Sequence, residues 1–270
     1  MAANFYAPPI QYFELNQLGK DYVIGDVHGR YDLVYEALAK VKFNEKYDRL
    51  FCVGDLIDRG VYSEHVLEFL NLPFVYAIRG NHEDILLELY QDTIPSEEKI
   101  AYYGQQIGLT WWLSVPHDKR MQILEKIKQL PLVMEITTYR GSVGLLHGDV
   151  DDNLTWGQFK EAIENGEHHV IQETLWGRSR LGNNIIKEVK GIDRIYVGHT
   201  VQDYARKLAN VVAIDTGAVF NQHLTIAELA VLTQIIERKP SNIENVNVLC
   251  NPENNYPPFG VYTSSLKPTK

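Results

Sequence analysis

The sequence has little cysteine and no long hydrophobic run, and both shortages exclude whole classes of protein. Cys52 and Cys250 are the only cysteines in 270 residues. They lie far apart, so we expect a buried thiol at Cys52 and an exposed one at Cys250 instead of a disulfide, and a cytoplasmic location. No apolar run approaches the roughly 18–20 residues of a membrane span. The N-terminus also lacks the layout of a signal peptide, so no membrane partner is expected.

Positive charge is also scarce. The chain has 26 Lys and Arg residues against 35 Asp and Glu residues, which gives a formal net charge of −9. A general nucleic-acid binder needs a basic face, so we expect no nucleic-acid partner. An anionic substrate is still compatible with this charge if metal ions and a few arginines reverse the potential locally.

Short apolar runs alternate with stretches of helical period in the first third of the chain. We predict strands at 22–24, 50–53 and 74–78, each followed by a helix, and strand-rich sequence again from residue 132 to about 230. This alternation predicts an α/β fold with a parallel or mixed sheet covered by helices. The polar and aromatic residues 1–20 are expected to form an N-terminal arm, and residues 240–270 a poorly structured or surface-wrapping tail. The domain between them, residues 21–239, would contain a helical insertion at about 92–130.

Polar clusters follow the apolar runs at their carboxyl ends. They are GDVHG (25–29), GDLIDRG (54–60), RGNHED (79–84), HGD (147–149), GHT (198–200) and DTG (215–217). Ligand sites of α/β sheets lie at the carboxyl ends of strands, so we expect these clusters to converge. Their carboxylates, imidazoles and amide suit ions such as Mn, Fe or Zn. The candidate ligands are Asp26, His28, Asp55, Asn81, His147 and His199.

In this order and spacing, the blocks GDVHG, GDLIDRG, RGNHED, HG and GHT resemble the signature of the PPP-type serine/threonine protein phosphatases. These enzymes belong to the calcineurin-like metallophosphoesterase superfamily, and the chain is most similar to its bacterial and bacteriophage members. The resemblance spans roughly residues 20–220. It implies mixed, sandwich-like central β-sheets flanked by helices.

The resemblance also implies two divalent metal ions, Mn²⁺ first, with Fe and Zn as alternatives. Asp26, His28 and a bridging Asp55 would hold one ion, and Asp55 would hold the second together with Asn81, His147 and His199. A hydroxide bridging the two ions would attack the phosphate directly, without a phosphoenzyme.

Further residues match the family's catalytic and phosphate-binding positions. His82 matches the general acid, and Asp58 the carboxylate that orients it. Arg59 and Arg79 match two phosphate-binding arginines. Arg178 and Arg180 compete for a third such position, and Arg178 is preferred. Two further residues lie outside the pattern. Asp149 stands where many eukaryotic members have glycine, and Asp215 can support the site by contacting the ligand residues.

The expected function is hydrolysis of phosphoserine and phosphothreonine in protein substrates, with phosphotyrosine as an additional candidate. Two alternatives stay open: hydrolysis of a dinucleoside tetraphosphate or cyclic phosphodiester at the same centre, and a non-catalytic binding module with a degenerate site. The second would predict missing ligands, and none of the six is missing. Trp111 and Trp112 are expected to pack the insertion, with a substrate groove as the alternative role. We expect surface or packing roles for His65, His117, His168, His169 and His223.

Overall fold

The computed structural model describes residues 7–220, 223–230 and 246–249, and it contains two mixed β-sheets that face each other. The first sheet has the spatial order β11-β10-β2-β3-β4. Its strands are β2 (Asp21–Ile24), β3 (Arg49–Cys52), β4 (Val75–Ala77), β10 (Leu224–Glu228) and β11 (Val246–Leu249). Here β2, β3 and β4 run parallel to one another, and β10 is antiparallel to β2.

The second sheet has the order β1-β5-β6-β7-β9-β8. Its strands are β1 (Ile10–Phe13), β5 (Val133–Thr138), β6 (Gly141–Leu145), β7 (Arg194–Val197), β8 (Arg206–Leu208) and β9 (Val211–Ala213). The pairs β6–β7 and β7–β9 are parallel. The predicted mixed, sandwich-like architecture is therefore confirmed.

Both faces of the first sheet are covered, which explains why its strands read as continuous apolar runs. Val23 and Phe51 point between the sheets, where they pack with side chains of the second sheet such as Ile136 and Tyr196. The alternate residues of the same strands, such as Ile24 and Leu50, point to the helices. A period of two along β2 and β3 is thus preserved, although both of the alternating positions are apolar in the middle of each strand.

Helices cover the outer face of each sheet. The hydrophobic core against the first sheet takes residues from α1 (Tyr31–Lys40), α2 (Val66–Leu70), α3 (Asn81–Leu89), α4 (Glu97–Ile107) and α5 (His117–Lys128). The core against the second sheet takes residues from α6 (Trp156–Glu164) and α7 (His168–Trp176). The remaining helical elements are short: α8 (Ser179–Gly182) and two 3₁₀ turns, Ser63–His65 and Leu109–Ser114. None of the helices within the described ranges is both long and apolar enough to cross a bilayer.

The segment 92–130 contains α4, the second 3₁₀ turn and α5, and it shares the core of the first sheet. Ile100, Leu109, Trp112 and Ile127 are all almost fully buried in that core. The segment is therefore packed into the domain instead of standing beside it.

Two short strands differ from the sequence-based expectations for the chain ends. Residues 10–13, which lie within the expected N-terminal arm, form β1 and pair in parallel with β5. Val246–Leu249, expected within a tail, forms β11 and pairs with β10. Strands of four residues offer only two repeats of alternation, too few to stand out from a polar background. The rest of the expected tail lies outside the described residues, as does Cys250, whereas Cys52 is a buried free thiol.

Candidate metal centre

The polar clusters converge because parallel strands of both sheets end at a common edge. The loops after β2, β3 and β4 meet the loops after β6, β7 and β9 there. Their side chains are at most 6% exposed: Asp26, His28, Asp55, Asp58, Asn81, His82, His147, His199 and Asp215. The expected convergence at the carboxyl ends of the strands is confirmed.

The loops that carry these side chains have an unusual backbone. Five residues have φ values in the left-handed region, which residues other than glycine rarely adopt. They are His28 (45°), Asp55 (50°), Asp58 (70°), Arg59 (65°) and His199 (64°). Each such conformation costs about 1–3 kcal/mol of folding free energy and persists only where surrounding contacts fix it. The local backbone is therefore held by its contacts and not by its own preference.

Gly54 allows two of these loops to approach each other. Its φ is +94°, and a Cβ placed on it would lie 2.7 Å from the Cα of Gly80. A side chain at this position would separate the loop after β3 from the start of α3. The two elements carry Asp55 and Asn81, so this glycine sets how closely the two side chains approach.

Asp55 lies at the centre of the cluster. His147 Nε2 is 3.3 Å from its Oδ1, and His28 Nε2 is 3.5 Å from its Oδ2. The backbone N–H of His82 donates to Oδ1 at 3.0 Å. Burial opposes ionisation, but His147 and His82 outweigh it and lower the pKa of Asp55 well below its usual value. Asp55 is therefore an anion that several groups share.

Two sets of ligand atoms share this carboxylate. His28, Asp55 and His82 form one set, and Asp55, His147 and His199 form the other, with the atoms of each set within 4.8 Å of one another. One carboxylate common to two sets fits a pair of neighbouring cations that share it as a ligand.

The imidazoles of His28 and His199 are suited to hold metal ions in their neutral form. Burial lowers the pKa of His28 to about 3. Burial, helped by His147 and Arg178, also lowers the pKa of His199 to about 3. The Nδ1 atom of His28 lies 2.8 Å from the carbonyl oxygen of Ile57, to which it donates. Its Nε2 lone pair is then directed into the cluster, as a metal ligand requires.

Asn81 completes the second set. Its Oδ1 lies 2.9 Å from both His147 Nε2 and His199 Nδ1. Each of these ring nitrogens either donates a proton to the amide oxygen or, as a lone pair, needs a cation between itself and that oxygen. The other ring nitrogen of His199, Nε2, is buried and has no hydrogen-bond partner among the described residues. These observations fit a cation held by Asn81 and the two histidines.

Asp26 lies beside the cluster but outside the two tight sets. Its carboxylate accepts hydrogen bonds from the backbone N–H of His199 at 3.0 and 3.2 Å. Burial, and then the neighbouring Asp215 and Asp55, raise the pKa of Asp26 well above its usual value. Burial raises the pKa of Asp215, which is hydrogen bonded to Asp26, to about 6. Three buried carboxyl groups so close together favour bound cations.

His82 and Asp58 form a buried pair, as their expected roles require. His82 Nδ1 lies 2.7 Å from Asp58 Oδ2. Burial opposes protonation of His82, but Asp55 and Asp58 outweigh it and raise its pKa. The second oxygen of Asp58 accepts a hydrogen bond of 2.7 Å from Trp111 Nε1. No pattern in the sequence linked Trp111 to this pair. The only available signal was that a buried indole N–H needs an acceptor.

Two of the predicted phosphate-binding arginines lie at the cluster. Arg59 Nη1 is 2.6 Å from His28 Nε2. Arg178 Nη1 donates to the carbonyl oxygen of His199 at 3.1 Å. Arg79 is different: its guanidinium contacts Asp84 and the carbonyl oxygens of residues 128 and 130. None of its hydrogen bonds within the described part of the chain reaches the cluster.

Arg180 has a structural role instead of a phosphate-binding one. It is 2% exposed, and its Nε lies 3.2 Å from the carboxylate of Asp149. Its other nitrogens donate to the carbonyl oxygens of Val150, Ile185 and Lys187. Of the two arginines, Arg178 contacts the cluster, whereas Arg180 is the buried partner of Asp149.

Glu83 is a further buried residue that the sequence reasoning missed. Its carboxylate accepts hydrogen bonds from the backbone N–H groups of Gly80, Asp55 and Leu56 at 2.8–2.9 Å. Burial, and then Asp55, raise its pKa to about 7. Its position three residues after Gly80, at the third position of α3, is the signal that was available, because glutamate often accepts backbone N–H groups there.

Comparison with known proteins agrees with this geometry. The calcineurin-like phosphoesterase family matches residues 22–203 of the chain. The chain therefore belongs to the calcineurin-like phosphoesterase family, a family of hydrolases.

Two kinds of curated relative are similar to the chain. Serine/threonine-protein phosphatase 2 of Salmonella typhimurium is 29% identical over 214 residues, which cover 77% of this chain and 92% of the relative. Serine/threonine-protein phosphatase 1 of the same organism is 31% identical over 211 residues, 77% of this chain and 91% of the relative. A symmetrical bis(5'-nucleosyl)-tetraphosphatase of Legionella pneumophila is 38% identical over 125 residues, 42% of each chain.

A solved structure supports the fold. The crystal structure of a putative diadenosine tetraphosphatase superposes with a TM-score of 0.58 at 21% identity, covering 83% of this chain and 94% of the other. At this identity the likeness concerns the architecture alone.

Replacing Arg180 with methionine will destabilise the protein. Asp149 would remain buried without its partner, and breaking a buried pair in this way costs about 3–5 kcal/mol. The free energy of unfolding in urea measures this loss. Arg178→Met is the matched control, because the Arg178 side chain is exposed and its loss leaves no buried charge. Equal stability of the two variants would contradict the structural role of Arg180.

Proposed function

We propose that the protein is a metal-dependent phosphomonoesterase that removes phosphate from serine and threonine side chains of proteins, with phosphotyrosine as a secondary substrate. The observation that carries this proposal is the single carboxylate of Asp55, which two sets of potential ligand atoms share, one of them including His82 of the buried His82–Asp58 pair. The extent of the likeness to bacterial serine/threonine phosphatases supports the same substrate class. Phosphoproteins of the cytoplasm are the partners that this proposal implies.

Six residues would hold the two divalent ions, Mn²⁺ first, in the arrangement expected from the sequence. They are Asp26, His28 and Asp55 for one ion and Asp55, Asn81, His147 and His199 for the other. When bound, two such ions neutralise phosphate oxygens and make a water molecule acidic enough to attack phosphorus at neutral pH.

The arginines would bind the phosphate. Arg59 contacts His28 of one ligand set, and Arg178 contacts the backbone of His199 of the other. A phosphate placed over the cluster would therefore meet a guanidinium from both sides. Guanidinium groups bind phosphate oxygens through two parallel hydrogen bonds, which lysine cannot do. Arg79 would contribute a third guanidinium after leaving Asp84.

His82 would protonate the leaving oxygen. Asp58 accepts the hydrogen bond from Nδ1, so the transferable proton is on Nε2. The alkoxide of serine or threonine is a poor leaving group and needs this proton, whereas a stable aryl oxide does not. General acids of this kind contribute about 10²–10⁴-fold to the rate.

A second candidate function is hydrolysis of dinucleoside tetraphosphates. It is favoured by the match of 125 residues to the symmetrical bis(5'-nucleosyl)-tetraphosphatase of Legionella pneumophila. That match covers 42% of this chain, whereas the match to the protein phosphatases covers 77%. Protein dephosphorylation therefore remains the first proposal. A non-catalytic binding module is disfavoured because the full set of candidate ligands is present.

The substrate is tested by comparing three phosphoesters with the Mn²⁺-loaded protein. We expect a higher kcat/KM for a phosphoserine peptide than for diadenosine tetraphosphate or cyclic AMP, because the site offers an acid for an alkoxide leaving group. Chelation by EDTA is the control and should abolish all three activities. Preference for the tetraphosphate would replace the first proposal by the second, and activity that survives EDTA would contradict both.

Replacing His82 with asparagine will reduce turnover of a phosphoserine peptide by about 10²–10⁴-fold. Turnover of p-nitrophenyl phosphate will fall far less, because its leaving group needs no proton. Steady-state kcat values for the two substrates measure the difference. Equal losses on both would remove the general-acid role of His82.

Asp55→Asn will impair metal binding, because this carboxylate belongs to both ligand sets. Calorimetric titration of the metal-free protein with Mn²⁺ should show two ions bound by the wild type and fewer than two by the variant. Asp92→Asn, at an exposed position in the chain, is the matched control and should bind two. A variant at position 55 that binds two ions with unchanged affinity would refute the shared role of Asp55.

A further inference from the structure

We propose that Trp111 is a positioning residue for the His82–Asp58 pair, so that the helical segment 92–130 contributes to catalysis through this contact. This inference rests on the proposed function, in which His82 is the general acid. It gives a chemical role to a segment that otherwise only completes the hydrophobic core.

The carboxylate of Asp58 is held at both oxygens. One oxygen lies 2.7 Å from His82 Nδ1 and the other 2.7 Å from Trp111 Nε1. Asp58 itself is 0% exposed, so bulk water does not reach either oxygen. A carboxylate with a single anchor can rotate about its Cβ–Cγ bond, whereas two anchors on opposite oxygens fix its plane. The plane of Asp58 in turn fixes the ring of His82 and its Nε2 proton.

A second contact joins the same segment to the same loop. The backbone N–H of Arg59 donates to the carbonyl oxygen of Gly108 at 3.1 Å. Gly108 has a φ of +85°, and a Cβ on it would lie 2.7 Å from the backbone nitrogen of Arg59. Asp58 and Arg59 both have left-handed backbones, so they depend on outside contacts of this kind. The end of α4 and the turn that follows it therefore hold the loop that carries both residues.

The neighbouring tryptophan shows that this arrangement is specific to Trp111. Trp112 is fully buried, and its Nε1 donates to the hydroxyl of Tyr90 at 2.9 Å. The two indole rings meet edge to face, with centroids 5.1 Å apart. Trp112 thus packs the core while Trp111 donates to Asp58, and the chain supplies a matched control at the next position.

The loss of Trp111 would affect the kinetics differently if it is a purely structural anchor than if it is a positioning residue. If Trp111 only fastened the segment to the domain, its loss would affect all substrates alike through stability. If it positions the acid, its loss leaves a buried carboxylate oxygen without a donor and misdirects the proton of His82. The damage then depends on how much the leaving group needs that proton.

The experiment compares Trp111→Phe with Trp112→Phe on a phosphoserine peptide and on p-nitrophenyl phosphate. For Trp111→Phe we expect kcat to fall about 10-fold or more on the peptide, because the lost hydrogen bond ends on a charged group, and much less on the aryl ester. For Trp112→Phe we expect a lower thermal stability. Its kcat relative to the wild type should be the same on the peptide as on the aryl ester. Manganese content and near-ultraviolet circular dichroism confirm that the variants are folded and loaded.

A second variant keeps the test decisive if Trp111→Phe does not fold. Incorporation of 3-benzothienylalanine at position 111 retains the shape of the indole and replaces its N–H by sulfur. It should show the same dependence on the leaving group. In the Asp58→Asn background the effect of either change at position 111 should largely disappear, because the shared acceptor is altered.

The outcomes separate this inference from the proposed function. If His82→Asn shows a dependence on the leaving group but the changes at position 111 do not, Trp111 is a structural anchor and the inference is overturned. If His82→Asn itself affects both esters equally, the general acid is absent and the inference is overturned with it. A dependence in both variants supports both.

Discussion

The constraint that governs this protein is the repulsion among buried carboxylates at the edge where its two sheets meet. Asp26, Asp55 and Asp215 are each at most 3% exposed, and Asp26 faces both of the others. Isolated charges do not survive at such depth without compensation. Histidine side chains supply part of it around Asp55, and cations held among the same groups would supply the rest. The chemistry of the site and the stability of the fold therefore involve the same charges.

Much of the surrounding structure serves to bring these groups together. Glu83 accepts hydrogen bonds from backbone N–H groups of two loops, and Arg180 donates hydrogen bonds to backbone carbonyl oxygens of a third segment. Neither side chain belongs to the ligand sets. Glu83 holds the left-handed backbone of Asp55, and Arg180 ties together the segments around Val150 and Lys187. Preorganisation of this kind is what makes electrostatic stabilisation of a transition state effective.

The sequence predicted the α/β class and the converging clusters because both follow from local patterns. Strands such as 50–53 are apolar throughout, and each polar cluster follows a strand directly. Other features depend on long-range packing and left no such pattern. The pairing of β1 with β5 and the hydrogen bond from Trp111 to Asp58 join segments far apart in the chain. The contact of Arg79 with Asp84 depends on which rotamer the arginine adopts, and the sequence does not show that. Arg178 and Arg180 were alike in sequence, and only burial separated them.

The left-handed backbones at His28, Asp55, Asp58, Arg59 and His199 have a thermodynamic consequence. At each of them glycine would be the more stable choice for the main chain, yet glycine has neither a ligand atom nor a charge. Selection for a sturdier protein and selection for a better catalyst thus pull these five positions in opposite directions. Their strain must be balanced by the well-filled cores on either side of the sheets, which leaves the chain less tolerant of cavities far from its catalytic edge.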